Sequence, residues 1–224
     1  MNKFSLYVLL ILLYLGISKS FSPSEKRTIY IPNANAYSNI FKGSPLSVIL
    51  ESEFSTGAMI KTYHHRYKVI HAFKSPQKLN IRVDKDFYLK NSKNIGMSLF
   101  RRYENGNSSI VPMPPGSIYI GSPAYGTWRT SKSGEKVWRF HRTYKNFPKI
   151  FLWGNFVPTN KFYRRMLILD KAQAPFYGLN SEFGTNGSVT KSHYKNKKKN
   201  KNQTSFKDIL KKYTTIPKWK SDNE

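Results

Sequence analysis

The sequence contains no cysteine in 224 residues. Disulfide bonds, thiolate metal sites and thiol nucleophiles are therefore excluded. The same absence excludes the cysteine chemistry of L,D-transpeptidases, which are small exported cell-wall enzymes with a β fold. Catalytic signatures such as HExxH and GxSxG are also missing from the chain. The function therefore has to rest on other side chains.

Acidic residues are scarce, since 12 Asp and Glu stand against 38 Lys and Arg, and the formal net charge is +26. A field of this sign attracts polyanions. The candidate partners are an anionic envelope polymer, lipid headgroups or an acidic partner protein. Nucleic acid is less favoured, because the N-terminus predicts export. We expect no cofactor and no metal.

Only the N-terminus carries a long apolar run. Lys3 precedes the apolar segment 6–16, and small residues follow at Ser18 and Ser20. This pattern is typical of a secretory signal peptide over residues 1–20. The run is shorter than the roughly 20 apolar residues that span a bilayer, although an uncleaved anchor is the alternative. We therefore expect an exported protein, periplasmic or extracellular, with no transmembrane span after signal cleavage.

The mature chain divides by composition. Residues 21–40 are polar and include prolines, which indicates a linker or an arm. Residues 41–180 are dense in aromatic and β-branched side chains, which predicts one β-rich domain. Residues 181–224 predict a basic flexible tail, with six lysines and no acid between 191 and 201. A short helix is predicted within this tail over residues 206–213, and it is too short to be stable alone.

Apolar and polar residues alternate at period two in several short runs of the β-rich region. In residues 79–89 the side chains on one predicted strand face are Leu79, Ile81, Val83, Phe87 and Leu89. Residues 95–103 alternate in the same way, and we interpret 59–73 as a strand, although its spacing also fits a helix. Glycine and proline turns separate the runs. The predicted fold is mainly β, either a sandwich or a partly closed barrel of short antiparallel strands, with a short C-terminal helix in the basic tail.

The stretch 136–145, KVWRFHRTYK, combines aromatic and cationic residues without an acid. As one strand it would present Trp138 and Phe140 on one face and Arg139, His141 and Lys145 on the other. One interpretation is a row of core aromatics with a solvated basic row behind it. The other is a binding surface on which cations meet anionic groups and an aromatic ring stacks on a sugar or base. The candidate binding residues are Arg139, His141, Lys145, Trp128, Trp153, Arg101 and Arg102.

Enzymatic activity has weaker support in the sequence. His64 and His65 are adjacent, so on a strand they point to opposite faces and cannot chelate one metal. The alternative function is a cell-wall-acting hydrolase with a carboxylate/His site. Its candidate acids, which would act with His141, are Glu104, Asp170 and Glu182.

The segment 111–126, VPMPPGSIYIGSPAYG, resembles the I-P-x-G-T/S-x-hydrophobic-x-G strand entry of the periplasmic barrel component of type IV secretion and conjugation systems. The matching positions are Pro115, Gly116, Ser117, Ile120 and Gly121. Residues 43–50 are similar to an earlier segment of that family, a glycine followed by alternating apolar residues. The resemblance implies a tight turn after which a strand re-enters a barrel. We expect an exported, non-enzymatic binding or assembly protein of the cell envelope.

Overall fold

The computed structural model describes residues 3–21, 29–57, 60–72 and 74–193. Its first element is helix α1 (Lys3–Phe21), whose side chains from 3 to 16 are all exposed. Within these ranges no helix has both the length and the apolar character that crossing a membrane requires. The signal peptide remains a prediction. The predicted helix at 206–213 and most of the lysine-rich run lie outside the described residues.

A curled six-stranded sheet forms the body of the fold. The strands are β1 (Tyr30–Ile31), β2 (Leu46–Thr56), β3 (Thr62–His71), β4 (Gln77–Val83), β5 (Ser98–Arg102) and β6 (Ser108–Ser109). They lie in the order β1-β4-β3-β2-β5-β6, and the sheet curls into a half-barrel. Each neighbouring pair is antiparallel except β1 and β4, which run parallel.

Shorter elements accompany this sheet. The helices after α1 include α2 (Tyr37–Ile40), α3 (Lys85–Asn91), α4 (Phe147–Ile150) and α5 (Asn160–Lys171). A second sheet consists of two antiparallel strands, β7 (Gly126–Thr130) and β8 (Lys136–Phe140). The last described residues, 188–193, are helical.

The prediction of a β-rich fold is confirmed in its coarse form. Strands occupy 28% of the residues and helices 34%, so helices take a larger share than a mainly β fold implies. The segment 59–73, interpreted as a strand, contains β3. The sheet is mixed, because β1 pairs in parallel at one edge.

The alternating pattern in residues 79–89 does not continue as one strand. Strand β4 ends at Val83, and the Asp84 carboxylate accepts a hydrogen bond from the backbone N–H of Asp86 at 2.8 Å. This cap satisfies a free N–H at the start of α3 and favours a helix. Phe87 is buried on that helix, whereas Leu89 is 55% exposed. The prediction that Phe87 and Leu89 extend the face of β4 is wrong.

Residues 29–40, predicted to be a linker or arm, belong to the fold. Ile31 pairs with Val83 in the parallel β1–β4 ladder and is fully buried. Tyr37 is also buried, and its ring contacts those of Tyr67 and Phe100 at centroid distances of 5.8 Å. The segment is polar in composition, but Ile31 and Tyr37 attach it to the core.

The predicted tail begins later than residue 181. Phe183 is buried and lies edge-on to Phe156, with ring centroids 5.0 Å apart. The Thr185 hydroxyl accepts a hydrogen bond from the backbone N–H of Ile95 at 3.2 Å, which ties this segment to the main sheet region. Residues 181–193 are therefore part of the fold, and the boundary predicted at 181 is wrong.

The segment 111–126 contains a turn at the predicted place, but no strand follows it directly, because the next strand, β7, begins only at Gly126. Gly116 has a φ of +79°, a left-handed conformation that glycine adopts without strain. The backbone then forms a 3₁₀ turn over Ser117–Tyr119, in which the Tyr119 N–H donates to the Gly116 carbonyl at 3.0 Å. Because Tyr119 is fully buried, this turn anchors the segment. In the other similar segment, 43–50, a strand does follow the glycine, since β2 begins at Leu46.

His64 and His65 point to opposite sides of β3, as strand alternation requires. The His64 ring stacks on Phe54 with centroids 5.0 Å apart. His65 is fully buried, where Nδ1 lies 2.7 Å from the Tyr67 hydroxyl and Nε2 lies 3.2 Å from a Glu53 carboxylate oxygen. The His65–Glu53 contact is an ion pair by distance but lacks hydrogen-bond alignment. These two histidines therefore serve separate packing roles.

A candidate polyanion-binding groove beside the small sheet

The small sheet positions the first wall of the candidate site. In the β7–β8 hairpin Trp138 pairs with Trp128, and the two rings lie 5.2 Å apart. Trp138 is only 3% exposed. A Cβ at Gly126 would come within 2.7 Å of the Trp138 ring, so glycine leaves the space that this indole fills. The aromatic face of β8 therefore packs inward, as the alternation predicts.

The strand ends at Phe140, five residues earlier than the pattern in 136–145 suggests. Residues Arg142–Tyr144 form a 3₁₀ turn, and α4 follows with proline near its first turn. His141 and Lys145 thus leave the strand direction of Arg139. The prediction of one continuous cationic row is wrong, because the turn redirects the chain after Phe140.

The chain then returns to the same strand and encloses a groove. The backbone N–H of Trp138 donates a hydrogen bond to the Pro158 carbonyl at 2.8 Å. This bond holds the returning segment 153–158 against β8. Between this segment, β8 and the region of Lys145 lies an open cavity of about 420 Å³. We call it the β8 groove, and its principal residues are Arg139, Phe140, Lys145, Trp153 and Phe156.

Aromatic rings form the floor of the β8 groove. Phe140 lies 5.7 Å from Trp153, and Trp153 lies 5.9 Å from Phe156, measured between ring centroids. Trp153 is buried, and its indole N–H donates to the Pro115 carbonyl at 3.0 Å. Phe140 and Phe156 are only partly buried. These two phenylalanines, and not Trp153, offer ring surface to a ligand.

The cations of the β8 groove have no acidic counterpart. Arg139 and Lys145 are exposed, and no Asp or Glu lines the cavity. Neither side chain forms an ion pair within the described part of the chain. Two unpaired cations beside partly exposed rings create a positive site on an apolar floor. Such a site attracts an anion and offers stacking surface to the group that carries it.

Two predicted binding residues lie outside this groove. Trp128 is half-buried and packs against Tyr163 of α5 with ring centroids 5.5 Å apart, so its ring serves the core. His141 is exposed, but its Nε2 lies 3.0 Å from the Pro123 carbonyl and does not line the cavity. The stacking role predicted for Trp153 is also wrong, since that ring is buried in the floor.

Arg101 is the clearest departure from the sequence prediction. It is 1% exposed and donates two hydrogen bonds to the Asp170 carboxylate, at 2.9 and 3.1 Å. The Tyr103 hydroxyl donates to the same carboxylate at 2.6 Å. Burial alone would raise the pKa of Asp170, but Arg101, Tyr103 and Ser109 together hold that pKa below its ordinary value. Arg101 is a buried ion-pair partner and not a binding residue, because its charge is already neutralised.

Arg102 points to the other side of β5, where it binds the backbone. Its guanidinium donates hydrogen bonds to the carbonyls of Phe41 at 2.8 Å and Gly43 at 3.1 Å. It also lies over the Phe100 ring at 5.2 Å from the centroid. These contacts fix the chain that enters β2. Arg102 therefore has a structural role, and its predicted binding role stays a prediction.

The acids of the hydrolase alternative each have their own partner. Asp170 pairs with Arg101, Glu104 accepts a hydrogen bond from the Tyr125 hydroxyl, and Glu182 accepts one from Asn180. Burial, and then the bond to Glu104, raise the pKa of Tyr125. Among the described residues no carboxylate contacts the His141 ring, and no group of three His, Asp or Glu side chains could hold a metal ion.

Sequence reasoning missed the part of the site that the returning segment supplies. Phe156 follows a Gly-Asn turn signal and has no alternating neighbours, so no periodic pattern assigned it a face. Alternation with Trp138 predicts that Phe140 shares the aromatic face of the strand, but it does not predict how much of that ring is exposed. A turn after an aromatic residue was the available signal for its partial exposure.

Comparison with known proteins yields no match to this chain among family models, curated proteins or solved structures. Any functional inference therefore rests on the sequence and the geometry of the chain itself.

Proposed function

We propose that this protein is a non-enzymatic binding protein that engages an anionic polymer through the β8 groove. The observation that carries this proposal is the pairing of two unpartnered cations, Arg139 and Lys145, with the partly exposed rings of Phe140 and Phe156 around one open cavity. No acid lines that cavity, so an anion meets no opposing charge there.

The shape of the site favours a polymer over a small ligand. The cavity is open, and its cations are exposed while its phenylalanine rings are partly buried. A segment of polymer can place its charges against the cations and its ring faces on the phenylalanines. Ring stacking contributes roughly 1–3 kcal/mol per base in single-strand binding, and it tolerates different sequences. Repeated weak contacts along a chain then add to a useful affinity.

The cellular setting of this function is also a proposal. Export is supported by the apolar N-terminal pattern, and it makes an anionic envelope polymer the favoured ligand. A role in an envelope assembly rests on the resemblance of residues 111–126 and 43–50 to the periplasmic barrel component. Nothing in the described contacts favours the hydrolase alternative.

Lysine acetylation in the presence of a soluble polyanion tests the proposal on the unmodified protein. Heparin should protect Lys145 from acetylation, because the bound polymer covers the groove. Lys132, exposed in the β7–β8 turn and outside the cavity, is the internal control. Mass spectrometry gives the fraction of each lysine that is acetylated with and without heparin, and the two fractions give the protection at each site. Equal protection of Lys132 and Lys145 would contradict a localised groove.

A further inference from the structure

Helix α5 carries a second cationic surface that is separate from the β8 groove. The Thr159 hydroxyl accepts a hydrogen bond from the Phe162 N–H at 3.2 Å and caps the helix. Phe162 and Met166 are buried on one side, so that side attaches the helix to the core. The opposite side is left to solvent.

The exposed side of α5 follows helical spacing. Positions i, i+3, i+4 and i+7 lie on one face of a helix. Counted from Lys161, these positions are Arg164, Arg165 and Ile168. We call this surface the α5 outer face; its residues are Lys161, Arg164, Arg165 and Ile168. All four are exposed, and together with Leu179 they border a shallow depression of about 510 Å³.

An apolar residue lies between the cations of this face. Ile168 is 57% exposed and Leu179 is 39% exposed, although isoleucine and leucine are usually buried. None of the three cations, Lys161, Arg164 and Arg165, forms an ion pair with an acid within the described ranges. The only acid in α5, Asp170, is bound to Arg101.

We infer that the α5 outer face docks on an anionic lipid bilayer surface. Long basic side chains can extend to the headgroups while an apolar residue between them enters the boundary with the acyl chains. A hydrated anionic polymer would satisfy the cations but would leave Ile168 in water. The exposed apolar side chains therefore distinguish a lipid surface from the polymer proposed for the β8 groove. The two surfaces use different residues, so failure of one assignment leaves the other intact.

A single labelled cysteine reports on this contact directly, because the native chain has none. Ile168→Cys carries an environment-sensitive fluorophore in the full chain. Leu89→Cys is the matched control, since Leu89 is 55% exposed on helix α3. Vesicles of equal parts phosphatidylcholine and phosphatidylserine should shift the emission at position 168 to shorter wavelength and leave position 89 unchanged. Vesicles of phosphatidylcholine alone should give a much smaller shift.

Charge variants complete the test in the labelled background. Arg164→Gln with Arg165→Gln should weaken vesicle binding several-fold. Arg129→Gln with Lys132→Gln removes the same charge from exposed sites of the β7–β8 hairpin and should have little effect. The proposal is overturned if the fluorophore at position 168 shows no emission shift with the phosphatidylserine vesicles. It is also overturned if soluble heparin or an acidic polypeptide such as polyglutamate produces the same shift as those vesicles. Equal loss of binding in the two charge variants would also overturn it.

Discussion

The large sheet and the small sheet use arginine in opposite ways. In the large sheet Arg101 is 1% exposed and bound to the Asp170 carboxylate, while Arg102 donates to backbone carbonyls. In the small sheet Arg139 is exposed and forms no ion pair with a described residue. The same residue type is structural in one region and available for binding in the other. A count of charges in the sequence does not separate these roles.

The difference has an energetic consequence. A buried cation without its partner remains out of water and costs several kcal/mol, whereas an exposed cation contributes little to stability. The free energy of unfolding should therefore depend on Arg101 and Asp170 and be nearly indifferent to Arg139 and Lys145. Ligand binding should show the reverse dependence.

The largest expected effect is on the buried pair. Asp170→Ala leaves the Arg101 charge without a carboxylate and should lower the free energy of unfolding by about 3–5 kcal/mol. Urea unfolding followed by tryptophan fluorescence measures the change. Glu135→Ala removes the same charge from an exposed position in the hairpin turn and serves as the control. Similar unfolding curves for the two variants would show that the buried pair contributes no more to the free energy of unfolding than an exposed charge.

Adjacent positions on β8 give the next comparison. Trp138→Ala removes a large buried ring and should destabilise the fold by about 3–5 kcal/mol. Arg139→Ala, one residue further, should change stability by less than about 0.5 kcal/mol because the side chain is exposed. Thermal or urea unfolding of both variants checks the face assignment. If Arg139→Ala destabilised the fold and Trp138→Ala did not, the assignment of the two faces of β8 would be inverted.

Acid should weaken the large sheet through the same ion pair. The folded-state pKa of Asp170 is lowered, so its stabilising contribution is complete above the carboxyl pKa of the unfolded chain, which is about 3.9. It is lost as the pH falls from there through the folded-state pKa. Urea midpoints of the native protein and of Asp170→Asn should therefore converge progressively as the pH falls below about 3.9. A gap between the two that stays constant with pH would contradict this assignment.

Much of the sheet could be predicted from sequence, because alternation reports one buried face. Strand β3 and the apolar residues of β4 follow this rule, as Ile81 and Val83 show. The rule failed after Val83, where the Asp84 cap starts a helix. Phe87 is buried on that helix, and its odd residue number fits the strand alternation only by coincidence. Local hydrogen bonding by one side chain outweighed the periodic pattern there.

The roles of the cations could be predicted only in part. Strand β5 is buried on both faces, since Ser98, Leu99, Phe100 and Arg101 are all inaccessible. Alternation in residues 95–103 indicates a strand here but predicts only one buried face, and the partner of Arg101 lies 69 residues away in sequence. Arg139 and Lys145 were placed at the surface correctly, but the turn after Phe140 and the return of residues 153–158 decide which groups they face.

The smallest effect on stability should accompany the clearest effect on binding. Arg139→Ala with Lys145→Ala should leave the urea midpoint nearly unchanged, because both side chains are exposed and unpaired. The control is Arg129→Ala with Lys132→Ala, which removes the same charge from exposed positions of the hairpin that do not line the groove. Any difference between the two variants then reflects position and not net charge.

The most direct measurement is the salt dependence of heparin binding by these two variants and the native protein, followed by fluorescence anisotropy of a labelled heparin fragment. Loss of two cation–anion contacts should reduce the slope of log K against log salt concentration by roughly 1.4–1.8, by analogy with phosphate contacts, and should weaken binding for the Arg139/Lys145 variant. The Arg129/Lys132 variant should keep a slope close to that of the native protein. If both variants lose the same slope and affinity, the protein binds polyanions through its general charge, and the β8 groove has no separate role.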